Sequence, residues 1–395
     1  MKKIVSILGS TGTIGVNALN IFQKNKNLFK FNIFVANKNF SLICKQIVKF
    51  KPEIFVVNDL KVFEKVKNKF KKNKIKIVSS VFFKKNLCRK SDITIAAIPG
   101  IAGLEPTIHL TKKSKKILIA NKESIICGWN FIKKCAEVNN TKIIPIDSEH
   151  FSIMKLIEDK KKNQIKKIYL TASGGPFLNY KLSKLKNIKP SEALKHPRWK
   201  MGKKISIDSA SLMNKLLELI EAKKIFSIDE KKIQIVIHPE SLIHAIVEFK
   251  NGLHKFIYHK TTMIIPLANA IFGDDININV FLKPKLNSEK KIFFKNLNFQ
   301  EVDKKRYPII NLKSRINEYN STPIIINAVN EILVDQFLKK KIPFNSFYTY
   351  ILRVLNDRNY KKYAIKEPKN VNQVFQIDKW SRDTTYKKIK NIINA

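Results

Sequence analysis

Glycine is scarce in this chain. Only 11 of 395 residues are glycine, where an average usage of ~7% would supply roughly 28. Those that survive sit at 9, 12, 15, 100, 103, 128, 174, 175, 202, 252 and 273, and at least eight fall inside candidate motifs. A glycine cluster in such a background marks backbone that cannot carry a side chain. Acids are scarce too: 31 Asp and Glu face 76 Lys and Arg, for a net charge of +45. The charge alone would suit a nucleic-acid binder. The lysines, however, run from end to end and come with abundant Asn, Ile and Phe, the residue set of A- and T-rich codons. Composition bias is the simpler cause, and no specific nucleic-acid partner is expected beyond nonspecific adherence to polyanions. The four cysteines, Cys44, Cys88, Cys127 and Cys135, lack metal-ligand spacing, and a chain that is 44% hydrophobic needs no disulfides to hold its core. Reduced thiols in a cytoplasm are expected. No run of 18 apolar residues occurs, so no membrane helix is expected. Met1-Lys2-Lys3 leading into Ile4–Leu8 resembles a signal peptide only superficially, because the run is short and ends in a glycine-rich turn.

What is present is strand–helix alternation. Apolar strands are expected at 4–8, 31–36, 54–57, 75–78, 93–97 and 117–119, with helices through about Asn25, at 41–51 and at 60–72. That alternation predicts a parallel sheet with helices on both faces. Later strands are expected at 143–146, 165–171, 233–237 and 245–250, and helices at 151–161, 322–340, 344–356 and 370–392, with a weakly patterned connector near 275–303. The length suggests two or three domains.

Gly9-Ser10-Thr11-Gly12-Thr13-Ile14-Gly15 is a G-x-x-G-x-x-G variant of the dinucleotide fingerprint at a strand-to-helix turn. NAD sites usually place an acid at the end of the second strand. Here the chain reads Ala36-Asn37-Lys38-Asn39, with a cation and no carboxylate, which favours the 2′-phosphate of NADPH. Lys38 could equally be one more surface lysine. Asn121-Lys122-Glu123-Ser124 follows the strand at 117–119, either as a ligand-facing strand end or as a surface turn. Asp147 and Glu149 follow the apolar strand at i and i+2, a spacing that in a strand puts both carboxylates on one side. Two hard oxygen donors with a third from elsewhere suit Mg²⁺ or Mn²⁺. Alternatively Asp147 or Ser148 caps the next helix. His150 reads as a packed histidine. Ser173-Gly174-Gly175-Pro176-Phe177 forms a turn whose N–H groups could approach a phosphate. The stretch from His196 to Glu218 has two parts. His196 to Lys204, with Trp199 and Gly202, reads as a loop; Asp208 and Ser209 read as N-cap residues of a helix carrying Asn214, Lys215 and Glu218 on one face. Such a helix start is a plausible phosphate seat, or else an ordinary amphipathic helix. Asn327, Asn330 and Glu331 are expected to serve helix packing only.

Taken in order, these motifs and His238-Pro239-Glu240-Ser241 resemble the 1-deoxy-D-xylulose 5-phosphate reductoisomerase family over nearly the whole chain. The resemblance implies an α/β architecture in which 1–146 form a Rossmann-like NADPH-binding domain and 147–275 an α+β catalytic and dimerisation domain with a flap at about 194–204. A linker at 276–303 and a C-terminal helical domain at 304–395 complete it. It further implies that Thr11, Gly12, Thr13, Ile14, Asn37, Lys38, Asn39, Asn121, Glu123 and Gly202 touch the cofactor. Asp147, Glu149 and Glu218 would bind Mg²⁺ or Mn²⁺, with Co²⁺ as a further option. Lys122 and Ser148 would hold substrate oxygens, Ser173, Ser209, Asn214 and Lys215 the phosphate, and His196 and Trp199 the closing flap. Lys122, His196 and the three acids are thus the implied catalytic set. The substrate would be a phosphorylated keto-diol sugar, rearranged and then reduced, and a homodimer is expected by analogy. Asn37, Leu216 after Lys215, and Lys260-Thr261-Thr262-Met263 depart from the family pattern. A plain NADP-dependent dehydrogenase would explain the first motif alone; a nucleic-acid binder would explain only the charge.

Overall fold

The computed structural model describes residues 1–79, 89–199, 202–273, 276–282, 296–365 and 367–393. Cys88, the flap positions Lys200 and Met201, and much of the connector expected at 276–303 lie outside the described residues. The strands are β1 (Lys3–Leu8), β2 (Phe29–Ala36), β3 (Ile54–Val57), β4 (Lys76–Ser79), β5 (Ser91–Ala96), β6 (Ser114–Ile119), β7 (Lys142–Pro145), β8 (Ile165–Ala172), β9 (Ile233–Ile237), β10 (Ile243–Phe249) and β11 (His254–Tyr258). The helices are α1 (Thr13–Lys24), α2 (Phe40–Phe50), α3 (Leu60–Lys69), α4 (Leu104–Thr111), α5 (Lys122–Val138), α6 (Ser148–Leu156), α7 (Pro190–Ala193), α8 (Lys203–Ala210), α9 (Met213–Phe226), α10 (Ile264–Phe272), α11 (Thr322–Leu338), α12 (Phe347–Leu355), α13 (Tyr360–Tyr363) and α14 (Val371–Ile393). Among the described residues, no helix is long and apolar enough to cross a membrane.

The chain divides into two compact units. The first comprises Met1–Ser124, Asn130–Phe151 and Thr262–Lys295; the second comprises Ile125–Trp129, Ser152–Thr261 and Asn296–Ala395. This division groups α10 with the dinucleotide-type unit and the C-terminal helices with β8 to β11, whereas the sequence boundaries run at 146/147 and 303/304.

The first unit is a seven-stranded sheet in the order β4-β3-β2-β1-β5-β6-β7, with every pairing parallel. All four residues of β3, Ile-Phe-Val-Val, are buried, as a strand covered on both faces requires. Helix α2 buries Ile43, Cys44, Ile47 and Phe50, a helical period of apolar positions. The abundant phenylalanines find a use here. Phe22, Phe29, Phe31, Phe34, Phe50 and Phe55 meet edge-on in a chain of rings 4.7 to 6.0 Å apart, a favoured aromatic geometry. The strand order reverses between β1 and β5, so the carboxyl ends of those two strands form the crevice where open α/β sheets bind ligands.

The second unit carries a mixed four-stranded sheet, β11-β10-β8-β9, in which β8 and β9 are parallel and the other pairs antiparallel. Ala172, Leu212, Ile237 and Tyr307 form a buried cluster at one end of β8 and β9. Its C-terminal part is helical, built on α11, whose residues from Thr322 to Phe337 are almost all buried.

Two helix expectations are corrected. The helix read as starting at Asp208 and Ser209 begins earlier, at Lys203 with Gly202 as N-cap, so both residues lie inside α8. A second helix starts at Met213, after Leu212 takes a left-handed conformation at φ 65°. The local capping signal fails because the Asp208 carboxylate is bonded elsewhere: to Lys204 Nζ at 3.0 Å and to Asn330 Nδ2 at 2.8 Å. Strand β7 ends at Pro145, so Asp147 and Glu149 follow it, as read, and the capping alternative for Asp147 holds. They flank the start of α6, which runs from Ser148 to Leu156 rather than over 151–161.

Candidate functional site

In the first unit the fingerprint occupies the switch point. Gly9 ends β1 at φ 81°, and a Cβ there would lie 2.4 Å from the carbonyl oxygen of Ala97, just past β5. A Cβ on Gly15 would lie 2.3 Å from Gly9 O and 2.7 Å from Ser10 Cα. These two glycines are demanded by the protein itself. Gly12 is not: the nearest atom to a Cβ there is 3.4 Å away, and Gly12 is exposed as the N-cap of α1. A glycine that the protein does not need at a bare helix start is one whose backbone a ligand can approach. No side chain caps α1, so its first N–H groups remain available to an anion. Thr11, Thr13 and Ile14 surround that helix start with partial or full exposure. Asn37, Lys38 and Asn39 are exposed after β2, and the Asn39 side chain also caps α2 by accepting from Leu42 N at 3.1 Å.

The turn after β6 is not a plain surface turn. Asn121 caps α5 through Ser124 N at 2.5 Å and donates to Ile98 O, to Gly100 O at 3.1 Å and to Glu123 Oε2 at 3.2 Å. It thereby ties the ends of β5 and β6 together. Because β6 and β7 are neighbours, Lys122 and Asp147 meet: Nζ lies 2.8 Å from Oδ2. Asp147 is also the N-cap-like residue of α6, accepting from Phe151 N through its backbone at 2.8 Å and from Glu149 N at 3.4 Å through its side chain. Ser148 Oγ donates to Glu149 Oε2 at 2.6 Å, and the buried His150 places Nδ1 3.7 Å from Asp147 Oδ1. Burial opposes ionisation of Asp147, but the Lys122 ammonium, followed by His150 and bonding to Glu149, outweighs it and holds the carboxyl well below its usual range.

In the second unit β8 runs into Ser173, whose hydroxyl oxygen receives the Gly175 N–H at 3.1 Å and lies 3.0 Å from His196 Nε2. His196 Nδ1 accepts from Arg198 N at 3.2 Å and Trp199 N at 2.9 Å, so the ring proton sits on Nε2 and points at Ser173. With two bonds accepted, what Ser173 can offer a ligand is its hydroxyl proton. Burial, with Lys215 second, pushes His196 down to about 4 from 6.5. The folded value lies below the unfolded one, so the unfolded chain takes up this proton first. The His196 contribution to stability is therefore present above about 6.5 and is lost as pH falls toward about 4. A histidine NMR titration of the folded protein should accordingly show His196 with a midpoint near 4; a midpoint near 6.5 would refute the tautomer and burial described.

Trp199 sits edge-on to His244 with ring centres 6.1 Å apart, and Arg198, which the sequence left without a role, donates from Nε to Pro239 O at 3.2 Å. Gly202 is exposed, and among the described residues beyond its chain neighbours nothing lies within 4 Å of a Cβ there. A Cβ on Gly175 would lie 3.0 Å from Ala210 Cα and from Ser209 O, so the Ser173–Gly175 turn presses on the end of α8 that carries Ser209. In the second turn of α9, Glu218 is 1% exposed and accepts from Lys215 Nζ at 2.7 Å and from Asn214 Nδ2. The expected shared face of Asn214, Lys215 and Glu218 is thus present. Sequence reasoning gave Asp208, also 1% exposed, only a capping role, and missed Glu221, buried on the same helix as Glu218. The available signal was an acid amid apolar helix neighbours in a chain poor in acids.

A doubly wound sheet with a glycine turn at its switch point defines the first unit as that of a dinucleotide-dependent oxidoreductase. Family models of 1-deoxy-D-xylulose 5-phosphate reductoisomerase match residues 5–128, and models of its C-terminal domains match 143–226 and 260–384. The chain is 42% identical over 381 residues to the 1-deoxy-D-xylulose 5-phosphate reductoisomerase of Pelagibacter ubique, covering 95% of this chain and 96% of the relative. It is 36% identical over 400 residues to that of Wolbachia pipientis, covering all of both. A crystal structure of DOX-P reductoisomerase in complex with NADPH, fosmidomycin and magnesium superposes with a TM-score of 0.88 at 29% identity, over 99% of each chain. The Zymomonas mobilis enzyme in complex with NADPH gives 0.84 at 28% identity, over 98% of this chain and 99% of that one. The chain belongs to the 1-deoxy-D-xylulose 5-phosphate reductoisomerase family.

Proposed function

We infer that the protein converts 1-deoxy-D-xylulose 5-phosphate to 2-C-methyl-D-erythritol 4-phosphate, using NADPH and a divalent metal. One observation carries this reading: the family match runs in order from residue 5 to 384, through the dinucleotide turn and every proposed ligand. The donor chemistry fits a hard dication. Asp147, Glu149 and Glu218 would supply the carboxylate oxygens, and Asp147 is held ionised beside Lys122. When bound, Mg²⁺ or Mn²⁺ (or Co²⁺) supplies Lewis-acid polarisation of the substrate's carbonyl and hydroxyl oxygens. NADPH supplies the hydride for the reduction. Thr11, Gly12, Thr13 and Ile14 would hold its pyrophosphate side on the bare start of α1. Asn37, Lys38 and Asn39 would face its 2′-phosphate, where no carboxylate repels it, and Asn121, Glu123 and Gly202 complete the cofactor contacts.

Ser173, Ser209, Asn214 and Lys215 would anchor the substrate phosphate, and Lys122 and Ser148 its reacting oxygens. His196 and Trp199 would close over it, driven by the remote phosphate contacts, and exclude water. His196 is suited to orienting Ser173 as a donor, since it stays neutral to about pH 4. The test follows oxidation of NADPH, and of NADH in parallel, with 1-deoxy-D-xylulose 5-phosphate, with and without Mn²⁺ or Mg²⁺. Metal-dependent turnover with a preference for NADPH is expected; folded protein without it would end this reading. A homodimer is the expected state. Strand β11, whose Phe256 is 50% exposed, pairs with β10 on one side and among the described residues presents its outer edge to a second copy; sedimentation at micromolar concentration would read the mass. Cys44, Cys127 and Cys135 are buried and form no disulfide among the described residues, which supports placement in the cytoplasm; cell fractionation checks it.

A further inference from the structure

The proposed phosphate ligands come from three places: Ser173 after β8, Ser209 in the last turn of α8, and Asn214 and Lys215 in the first turn of α9. Helix α8 is only eight residues long. Its Ser209 end packs on the Ser173–Gly175 turn, and the left-handed Leu212 separates it from α9.

One neighbour of Ser209 is Asp208, buried to 1% exposure. Its Oδ2 accepts from Lys204 Nζ at 3.0 Å, one turn back on the same helix, and its Oδ1 accepts from Asn330 Nδ2 at 2.8 Å. Asn330 is fully buried on α11, between Val329 and Glu331 and among the apolar residues Ile326, Leu333 and Val334. Among the described residues its own Oδ1 finds no hydrogen-bond partner. A leucine of similar size would avoid that loss, so the amide is an odd choice for packing alone. Its Nδ2 bond holds the carboxylate next to Ser209. Hydrogen bonds to a buried ionised group are among the stronger and more directional that a side chain makes.

We propose that Asp208 and Asn330 are a positioning pair: they lock α8 to α11 and thereby set Ser209 in the phosphate seat. Neither residue touches substrate. The C-terminal helical part of the chain, to which the sequence assigned packing only, acts on phosphate recognition through this one bond. The inference rests on the phosphate-seat reading of Ser209 above.

The test uses the full-length enzyme and three variants: Asn330→Leu, the exchanged pair Asp208→Asn with Asn330→Asp, and Ser209→Ala. Each is read for the substrate KM, for inhibition by inorganic phosphate and for NADPH affinity, well below its melting temperature. Asn330→Leu should raise both the KM and the phosphate inhibition constant about tenfold, with NADPH affinity unchanged. The exchanged pair restores a donor opposite a carboxylate and should return both to within about threefold of the parent. A purely structural role would lower the melting temperature without moving the phosphate constants. If Ser209→Ala weakens phosphate binding and Asn330→Leu does not, the positioning pair is refuted and the seat stands. If Ser209→Ala has no effect either, the seat reading itself falls. Should Asn330→Leu fail to fold, the exchanged pair decides: a folded double variant that still loses about tenfold overturns the proposal.

Discussion

Glu218→Gln should cost the enzyme about a thousandfold or more in kcat and leave NADPH affinity within about twofold. The substitution keeps the shape of the side chain and removes its charge. Glu218 is 1% exposed and accepts from Lys215 Nζ at 2.7 Å and from Asn214 Nδ2. A glutamine amide turned toward either would set donor against donor, leaving Lys215 without its carboxylate. If Glu218 is the third oxygen ligand of a hard dication, losing its charge weakens that set directly. A loss of about 4 kcal/mol of transition-state stabilisation corresponds to that thousandfold. Steady-state turnover across a Mg²⁺ or Mn²⁺ titration, together with fluorescence titration of NADPH, reads both halves. A variant with near-parental kcat would remove Glu218 from the metal set, and one that also lost NADPH binding would point to misfolding.

The second large effect is expected at the dinucleotide turn. Gly15→Ala places a methyl group 2.3 Å from Gly9 O and 2.7 Å from Ser10 Cα, and backbone atoms cannot swing aside as a side chain can. The start of α1 must lift away from β1, at a cost of about 1–3 kcal/mol for overpacking. NADPH affinity should fall about tenfold to a hundredfold, with a lower melting temperature. Gly12→Ala is the informative partner, because beyond its chain neighbours the nearest described atom its Cβ would meet is Gly9 O at 3.4 Å. It should melt like the parent, and any weakening of NADPH binding it causes reports contact with the ligand. Parental NADPH affinity in Gly15→Ala would show that the turn is not the cofactor site.

The parallel sheet was legible because its strands are buried on both faces and read as unbroken apolar runs such as Ile54–Val57, with helices of clear period between them. The fingerprint was legible because glycine is rare here and Gly9 and Gly15 have no room for a side chain. Other features were decided by partners distant in sequence. Asp208 and Ser209 look like a helix start, yet Asn330, 122 residues away, holds Asp208 inside α8. Asp147 and Glu149 follow an apolar strand, but Pro145 ends it and the two acids belong to the next helix start. Helix α10 escaped notice because its run Ile-Ile-Pro-Leu-Ala-Asn-Ala-Ile-Phe carries a proline and reads like a buried strand. The contact of Trp199 with His244 has no local signal at all, since it joins a loop to a strand in another sheet position.

The left-handed backbone at Leu212 has a counterpart elsewhere. Among the described residues, Lys51, Asn140, Leu212, Ser227, Ser241 and Lys340 hold φ between 48° and 65°, while the glycines with positive φ hold 65° to 91°. The two sets barely touch. Among the described residues, side chains hold left-handed angles only up to 65°, and glycine holds all the wider ones. Lys51 and Ser227 directly follow α2 and α9, where a glycine would relieve about 1 kcal/mol of left-handed strain. For protein engineering, these helix ends form a reserve of thermostability that lies apart from the proposed ligands.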